Sequence, residues 1–526
     1  MRTEGRRLRG QGIFSRSKSI WPHNWDRNEK ISLIIAALVF GYTCLRAALL
    51  SITHDEALTY LIHVSGSLQE IFAHSRNVGS NNHLLNTLLI KFISGLFGNS
   101  EFVLRIPALI GHVIYLIATF KILALFLKGK RFLIGFALMA TNPLLLDFFS
   151  CARGYSIAIG FFLLSLYFLY RGVQFVDFRY QTINNYLVIT MLTFSVLSNL
   201  GFATVYVPVI AILIIREVKN HFIAYKYSHF ELIKRLSLSL LLPFGASAVC
   251  LSLIYTPSVI NIIRAGTKDW GGVDGFWVNT VTSIVEGTLY GQTYATPGTV
   301  TATKIWIFFV LLIAFVLAYM CLLIKGKPNQ NSVLLLQTVS LICGVALIIQ
   351  IQYVLFQIKY PIDRGALYLI PLFFLIMLLV WEYLAGKGYE SIRMLSAILG
   401  YGIAALLLLN SLLCFNITHY YLWQYDAATK EAMKIIYDLS RPQARFTDEF
   451  SIGINWLFEP STNYYILKNR IAWIQWTNRT GPDGLHDYYY LLESDREVIE
   501  KNHLRLIRSF DISHSYIALP PVADTR

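Results

Sequence analysis

Charge is scarce in this chain. Only 14% of its 526 residues are Asp, Glu, Lys or Arg, while 55% are hydrophobic and the mean hydropathy is +0.52. Such a composition excludes a single soluble domain of the ordinary kind. Cysteine offers no framework either. The six present (Cys44, Cys151, Cys250, Cys321, Cys343 and Cys414) lie in or beside apolar stretches without metal-ligand spacing, and no disulfide scaffold is expected. A repeat of fixed period and a low-complexity tract are both missing. A cleavable signal peptide is not expected, because the basic tail is long and the first apolar run, 31–50, exceeds an h-region.

What is present is a succession of apolar runs near twenty residues, each long enough to cross a bilayer. They fall at 31–50, 106–127, 132–149, 156–170, 186–200, 203–215, 236–255, 305–324, 333–356, 366–384 and 394–415, roughly eleven spans in all. The formal net charge of +14 suggests a nucleic-acid partner only if its location is ignored. Much of the excess lies in the N-terminal tail (Arg2, Arg6, Arg7, Arg9, Arg16, Lys18, Arg27, Lys30) and in loops such as Lys128-Gly129-Lys130-Arg131 and Lys325-Gly326-Lys327. These basic segments all fall on one side, as the positive-inside rule requires, so the bilayer accounts for the charge and no nucleic acid is expected. The reading is a mainly α, polytopic protein of the cell membrane. Its basic tail (1–30) is cytoplasmic, its transmembrane domain covers 31–415, and a small extracytoplasmic α/β domain covers 416–526.

Two connections are too long and too patterned to be linkers. The first external loop (51–105) contains Leu84, Leu85, Leu88, Leu89, Phe92, Ile93, Leu96 and Phe97 at helical spacing, with Asn86, Thr87, Lys91 and Ser94 on the other face. Residues 83–97 would reach only about 20 Å, so an amphipathic helix lying in the interface is expected. The second, 256–303, is rich in Gly, Trp and Tyr and long enough to cover a site.

With this topology three short motifs share the external face: His54-Asp55-Glu56 after the first span, Asn81-Asn82-His83-Leu84 opening the interfacial helix, and Tyr360-Pro361-Ile362-Asp363-Arg364 before the tenth span. Arg153 lies on the same side. Each has a plain alternative: a solvated cap, a polar helix start, an arginine that snorkels to the interface. Their convergence under one covering loop favours a site, since ionisable residues at the membrane tend to be functional.

The run HDEALTYL at 54–61, GSLQEIF at 66–72 and NNHLLNTLLIKFISGLFGNSEFVLRIPAL at 81–109 resemble the opening of GT-C glycosyltransferases of the protein O-mannosyltransferase and aminoarabinose-transferase superfamily, most of all its bacterial branch. CARGYSIAIGFFLLSLYFLY at 151–170 and YPIDRGALYLIPLF at 360–373 resemble later segments of the same family. Many relatives have His-Pro-Pro-Leu-Tyr where this chain has His83-Leu84-Leu85-Asn86, and nothing in 416–526 matches a family motif.

The resemblance implies transfer of a sugar from a polyprenyl-phosphate carrier to a hydroxyl of a lipid, glycan or protein acceptor at the non-cytoplasmic face, with inversion. It implies Asp55 as the base, with Glu56 beside it in a second-shell or acceptor-positioning role. Arg364 would grip the carrier phosphate, with Lys359 and Arg153 as further cations and His54, His83 and Tyr360 as pocket residues. No cofactor is required by this chemistry, and a divalent cation stays open because Asp55, Glu56 and His54 alone do not assign ligands. No Gly-rich phosphate loop or nucleotide-sugar motif is evident on the cytoplasmic side, in keeping with a lipid-linked donor. A flippase or transporter of a lipid-linked saccharide would also have many spans and a membrane arginine, but the absence of an internal repeat counts against it. A saccharide polymerase is the other alternative.

The topology is tested by single cysteines in a background without the native ones, probed with a membrane-impermeant reagent in intact cells. Asp55, Arg364 and the C-terminal domain are expected outside, accessible to the reagent. A cysteine at Lys327 should not label, and its labelling would overturn the arrangement.

Overall fold

The computed structural model describes residues 25–73, 82–174, 178–225, 229–265, 271–323, 329–386, 389–444 and 449–521. The basic tail up to 24, Asn81 and the Lys325-Gly326-Lys327 loop lie outside the described residues. Eight of the described helices are long and apolar enough to cross a bilayer: Arg27–Leu49, Glu101–Leu123, Tyr155–Gln174, Leu200–Lys219, Leu232–Asn261, Pro297–Leu323, Gln330–Phe356 and Glu390–Cys414. Of the other expected spans, Leu369–Ala385 forms a shorter apolar helix and 186–198 of the expected 186–200 lies in the helix Phe178–Ser198.

The span expected at 132–149 is broken. Gly129–Ala140 and Pro143–Phe149 meet at 61°. Pro143 has no N–H to continue the first helix, and Asn142 caps the second by accepting from the Leu145 N–H at 3.1 Å. The bend turns Asp147 into the bundle, where it meets Arg46 of the first span at 2.5 Å.

Close backbone approach sets the bundle's centre. The helices Glu101–Leu123 and Tyr155–Arg171 touch at Gly111 and Gly160. A Cβ on Gly111 would lie 2.5 Å from the Ile157 nitrogen, and one on Gly160 would lie 2.6 Å from the Gly111 carbonyl oxygen. Small residues permit this contact where lipid supplies no hydrophobic drive. Around it packs an aromatic core that includes Tyr115, Phe132, Phe136, Phe149 and Phe162.

The interfacial helix forms over Leu84–Phe97. Phe92, Leu96 and Phe97 face outward, while Asn86 and Thr87 are buried against the protein. Lys91 donates to the carbonyls of Val64 and Gly66 at 2.8 and 2.7 Å, tying the helix to the end of the Asp55 segment. The connection 256–303 is more helical than its composition suggested. Leu242–Ala265 runs into it, and Phe276–Val281, Thr282–Leu289 and Pro297–Leu323 occupy most of the rest.

The C-terminal unit has a four-stranded sheet in the order β1-β2-β4-β3. Strand β1 (Ile452–Ile454) runs parallel to β2 (Tyr488–Leu492), and β4 (Ser515–Leu519) pairs antiparallel with both β2 and β3 (Arg505–Phe510). The consecutive buried residues Tyr488 to Leu491 mark a strand covered on both faces, whereas β3 carries exposed Arg505 and Arg508 on the edge. Its core is shared. Phe458, Tyr464, Tyr490 and Ile517 pack in one cluster with Ile52, Ala57, Ile90 and Leu104 of the first external loop and second span.

Candidate active site

Asp55 sits in a five-residue helix, His54–Leu58, continued by the wider π-helical turn Thr59–Val64. So short a helix cannot hold itself together. Thr53 and Glu56 cap its start reciprocally, the Thr53 hydroxyl accepting from the Glu56 N–H and Glu56 Oε2 accepting from the Thr53 N–H. The resulting turn presents the neighbouring carboxylates to different partners.

Glu56 points inward and is sealed from solvent. Its Oε1 accepts from Arg105 Nε at 2.8 Å and the Ala152 N–H at 2.5 Å, and its Oε2 accepts from Arg105 Nη2 at 2.8 Å. With Thr53, four donors meet the four lone-pair positions of the carboxylate. No oxygen is left to face a substrate, so Glu56 is not a reacting group. Burial raises its proton affinity, but Arg105 and these hydrogen bonds more than offset that, and the carboxyl is held below its usual range. The remaining Arg105 donors go to the carbonyls of Ala47, Leu50 and Ser51 at 3.1, 2.8 and 2.7 Å, closing the exposed end of the first span.

Asp55 points outward, to Arg364 Nη1 at 2.9 Å. Arg153 approaches the same oxygen from beneath at 3.7 Å and donates to the Thr59 hydroxyl at 2.7 Å. Burial pushes Asp55 up, yet Arg364 and then Arg153 outweigh it, and its carboxyl lies below the usual carboxylate range. Arg364 is the more open of the two cations, with 17% of its side chain exposed against 1% for Arg153. Arg153 is thus buried under Asp55 and does not face a free phosphate.

Arg364 is aimed by a strained turn. Asp363 has φ +45°, sparsely populated for a residue with a side chain, and its N–H donates to Ser283 Oγ at 2.8 Å. The guanidinium lies 5.4 Å over the ring of Trp423. Tyr360 is a buttress instead of a pocket residue. It stacks on Tyr353 at 4.4 Å, donates its hydroxyl to Gln350, and exchanges backbone hydrogen bonds with Gly272. Lys359 is half-buried against Gly271, where a Cβ would come within 2.6 Å of the lysine's own Cβ.

His54 is held from the C-terminal unit. Its N–H donates to Asp426 Oδ2 at 2.6 Å, and its Nδ1 lies 2.7 Å from the Leu457 carbonyl oxygen. Burial lowers its pKa, so the ring is neutral with Nδ1–H donating. His83 meets Tyr155 edge-on at 4.9 Å. Trp423, Tyr425 and Asp426 had no local motif to reveal them, and Arg105 was visible only as part of a family-like run.

Beside the Arg364 turn lies an apolar chamber of about 410 Å³. Phe276, Trp277, Trp306 and Phe373 are among its walls, and Asn142, Thr288, Tyr294 and Asn410 form a polar patch. The helix Thr282–Leu289 forms one wall through Ile284 and Val285 while its Ser283 holds Asp363. Among the described residues no group of three His, Cys, Asp or Glu side chains is disposed around a common point, and Arg364 occupies the outward side of Asp55. This donor set does not fit a divalent cation.

The apolar helices, the helix Leu84–Phe97 and the docked C-terminal unit define a multi-pass membrane protein whose fold is shared with solved membrane proteins. The chain is similar over 93% of its length to ArnT from Cupriavidus metallidurans in the apo state, covering 97% of that chain at 10% identity with a TM-score of 0.52. For the same protein bound to undecaprenyl phosphate the figures are 94%, 98%, 11% and 0.50. The Archaeoglobus fulgidus oligosaccharyltransferase in complex with Zn and sulfate is a looser match, 13% identical with a TM-score of 0.43 over 88% of this chain and 68% of that one. No family model matches the chain, and no curated protein matches it in sequence.

Replacing Glu56 by Gln leaves the buried Arg105 charge without its partner, which should cost about 3–5 kcal/mol. Thermal unfolding of the purified Glu56→Gln protein in detergent should show a large drop in midpoint; a midpoint equal to wild type would mean the pair is not what holds the turn.

Proposed function

We propose that this protein is a membrane glycosyltransferase moving a sugar from a polyprenyl-phosphate carrier to an acceptor hydroxyl at the non-cytoplasmic face, with inversion at the anomeric carbon. The observation that carries this reading is the 2.9 Å pairing of Asp55 with Arg364 next to an apolar chamber in a GT-C fold. The relative bound to undecaprenyl phosphate supports a carrier of that chemical class.

In the proposed reaction the acceptor oxygen attacks the anomeric carbon from the face opposite the phosphate. Its proton passes to Asp55, the bond from the anomeric carbon to the phosphate oxygen breaks, and the electron pair leaves on polyprenyl phosphate. Phosphate is a good leaving group, so a fixed cation suffices where charge develops. Arg364 is suited to that contact because its planar fork can hold two phosphate oxygens.

The ion pair suggests how the two roles connect. Without donor, Arg364 neutralises Asp55 and depresses its basicity. A carrier phosphate competes for the guanidinium, and as Arg364 turns to it, burial drives the proton affinity of Asp55 back up. The base would thus be armed by arrival of the donor. The chamber could take the first isoprene units, since Leu369 and Ile370 on its wall follow the Arg364 turn by five and six residues. Glu56, Arg105 and Arg153 hold the Asp55 turn in this scheme, and the cytoplasmic side of the bundle carries the basic loops.

Purified protein incubated with a panel of polyprenyl-phosphate sugars should release polyprenyl phosphate in the presence of acceptor. A carrier would move the lipid without releasing it, so absence of release across the panel would sink the transferase reading.

Asp55→Asn keeps the shape and removes the basic oxygen. Turnover should fall by about 10²–10⁴ with donor binding retained; near wild-type turnover at saturating acceptor would exclude Asp55 as the base. Arg364→Lys keeps charge but loses the fork, and should lose about 2.7–4 kcal/mol of transition-state stabilisation, by analogy with oxyanion-hole donors. Arg364→Ala should be worse. A lysine variant equal to wild type in kcat and donor KM would reduce Arg364 to an interface anchor.

A further inference from the structure

The C-terminal unit touches the Asp55–Arg364 pair through one short stretch, Tyr421–Ala428, which follows the last span. Trp423 lies under the Arg364 guanidinium. Three residues on, Asp426 reaches the residue that precedes the other partner. It is buried, and its Oδ1 accepts from the hydroxyls of Ser461 at 2.8 Å and Thr429 at 3.1 Å, both within its own unit. Its Oδ2 accepts the His54 N–H at 2.6 Å, across 372 positions of sequence. His54 is the residue before Asp55 and the first of a helix only five residues long. Its ring is gripped by the same unit, through the Leu457 carbonyl and the edge of Trp456.

We infer that Asp426 is a positioning residue for Asp55: through its hydrogen bond to the His54 N–H, the C-terminal unit anchors the turn that carries the base. The inference rests on the transferase reading above. A carboxylate left in a buried site with neutral donors binds an N–H strongly while it is charged and less so when protonated. Burial first, with the nearby Asp55 charge adding to it, pushes the Asp426 carboxyl up to about 7, against the hydrogen bonds from Ser461, His54 and Thr429. The titratable groups facing it are Asp55, Tyr425, Tyr490 and His54. The two tyrosines are held above their ordinary range by burial, and His54 below its own. Above the titration the anchor is charged and tight, and below it the hold on the His54 N–H weakens. Activity therefore rises with pH through about 7.

The test uses the full-length protein in detergent with a polyprenyl-phosphate sugar found to turn over. Asp426→Asn keeps an acceptor for His54 and loses the charge. Its kcat should fall about 10–100-fold, as for small misplacement of a reacting group, with donor KM changed by less than about twofold. The rise in kcat near pH 7 should vanish. Ser461→Ala removes one bond that favours the charged form, so the rise should move to higher pH; this milder variant serves if Asp426→Asn does not fold. Hydrogen exchange of the 54–58 amides reads the anchor without turnover and should be faster in Asp426→Asn than in wild type. If no donor turns over, the transferase reading fails while exchange still decides the anchor. Unchanged exchange, or a wild-type pH profile in Asp426→Asn, overturns the inference.

Discussion

A carboxylate removed from water must be met by a cation or by enough hydrogen bonds. Around the exposed end of the first span that requirement is met three times. Arg46 meets Asp147, Arg105 meets Glu56, and Arg153 with Arg364 meets Asp55. Arg46 and Arg105 also lie over the ring of Tyr420, at 5.1 and 5.4 Å. The helices that carry these groups come from distant parts of the chain, so satisfying the charges brings the spans and the start of the C-terminal unit to one place.

The three pairs are not equivalent. Those of Asp147 and Glu56 are sealed, and their extra lone pairs are filled by Tyr290, the Tyr421 N–H, Thr53 and Ala152. They serve as fixed points. The pair between Asp55 and Arg364 has an arginine that is less sealed than Arg46 or Arg105 and a strained turn behind it. A pair of that kind can be exchanged for another partner at lower cost, which is what the proposed reaction asks of it. Glu56 is thereby part of the frame, although it is adjacent to Asp55 and chemically alike. Successive side chains of a helix point about 100° apart, which sends the two carboxylates to different partners.

Fold class was legible from local pattern. Runs of twenty apolar residues leave few architectures, so the membrane bundle follows from composition and order alone. The interfacial helix at Leu84–Phe97 was readable because its two faces differ at helical spacing. The break at Asn142-Pro143 was not read, because the apolar run continues through it and conceals the cap. The connection 256–303 differs for the opposite reason: its Gly, Trp and Tyr content resembles irregular chain, while much of it is helical.

Amino-acid order is enough to put Asp55 just after the first apolar run and Arg364 just before a late one, because those positions are fixed by where apolar runs stop. Tertiary structure alone decided which of the neighbouring groups are free to react. Glu56 and Arg153 are consumed by burial, Tyr360 is turned to Gln350, and Asp426 arrives from a unit with no matching motif. The reason is that burial and pairing depend on partners brought together by folding, 49 residues apart for Arg105 with Glu56 and 372 for Asp426 with His54. A local pattern carries no record of such partners.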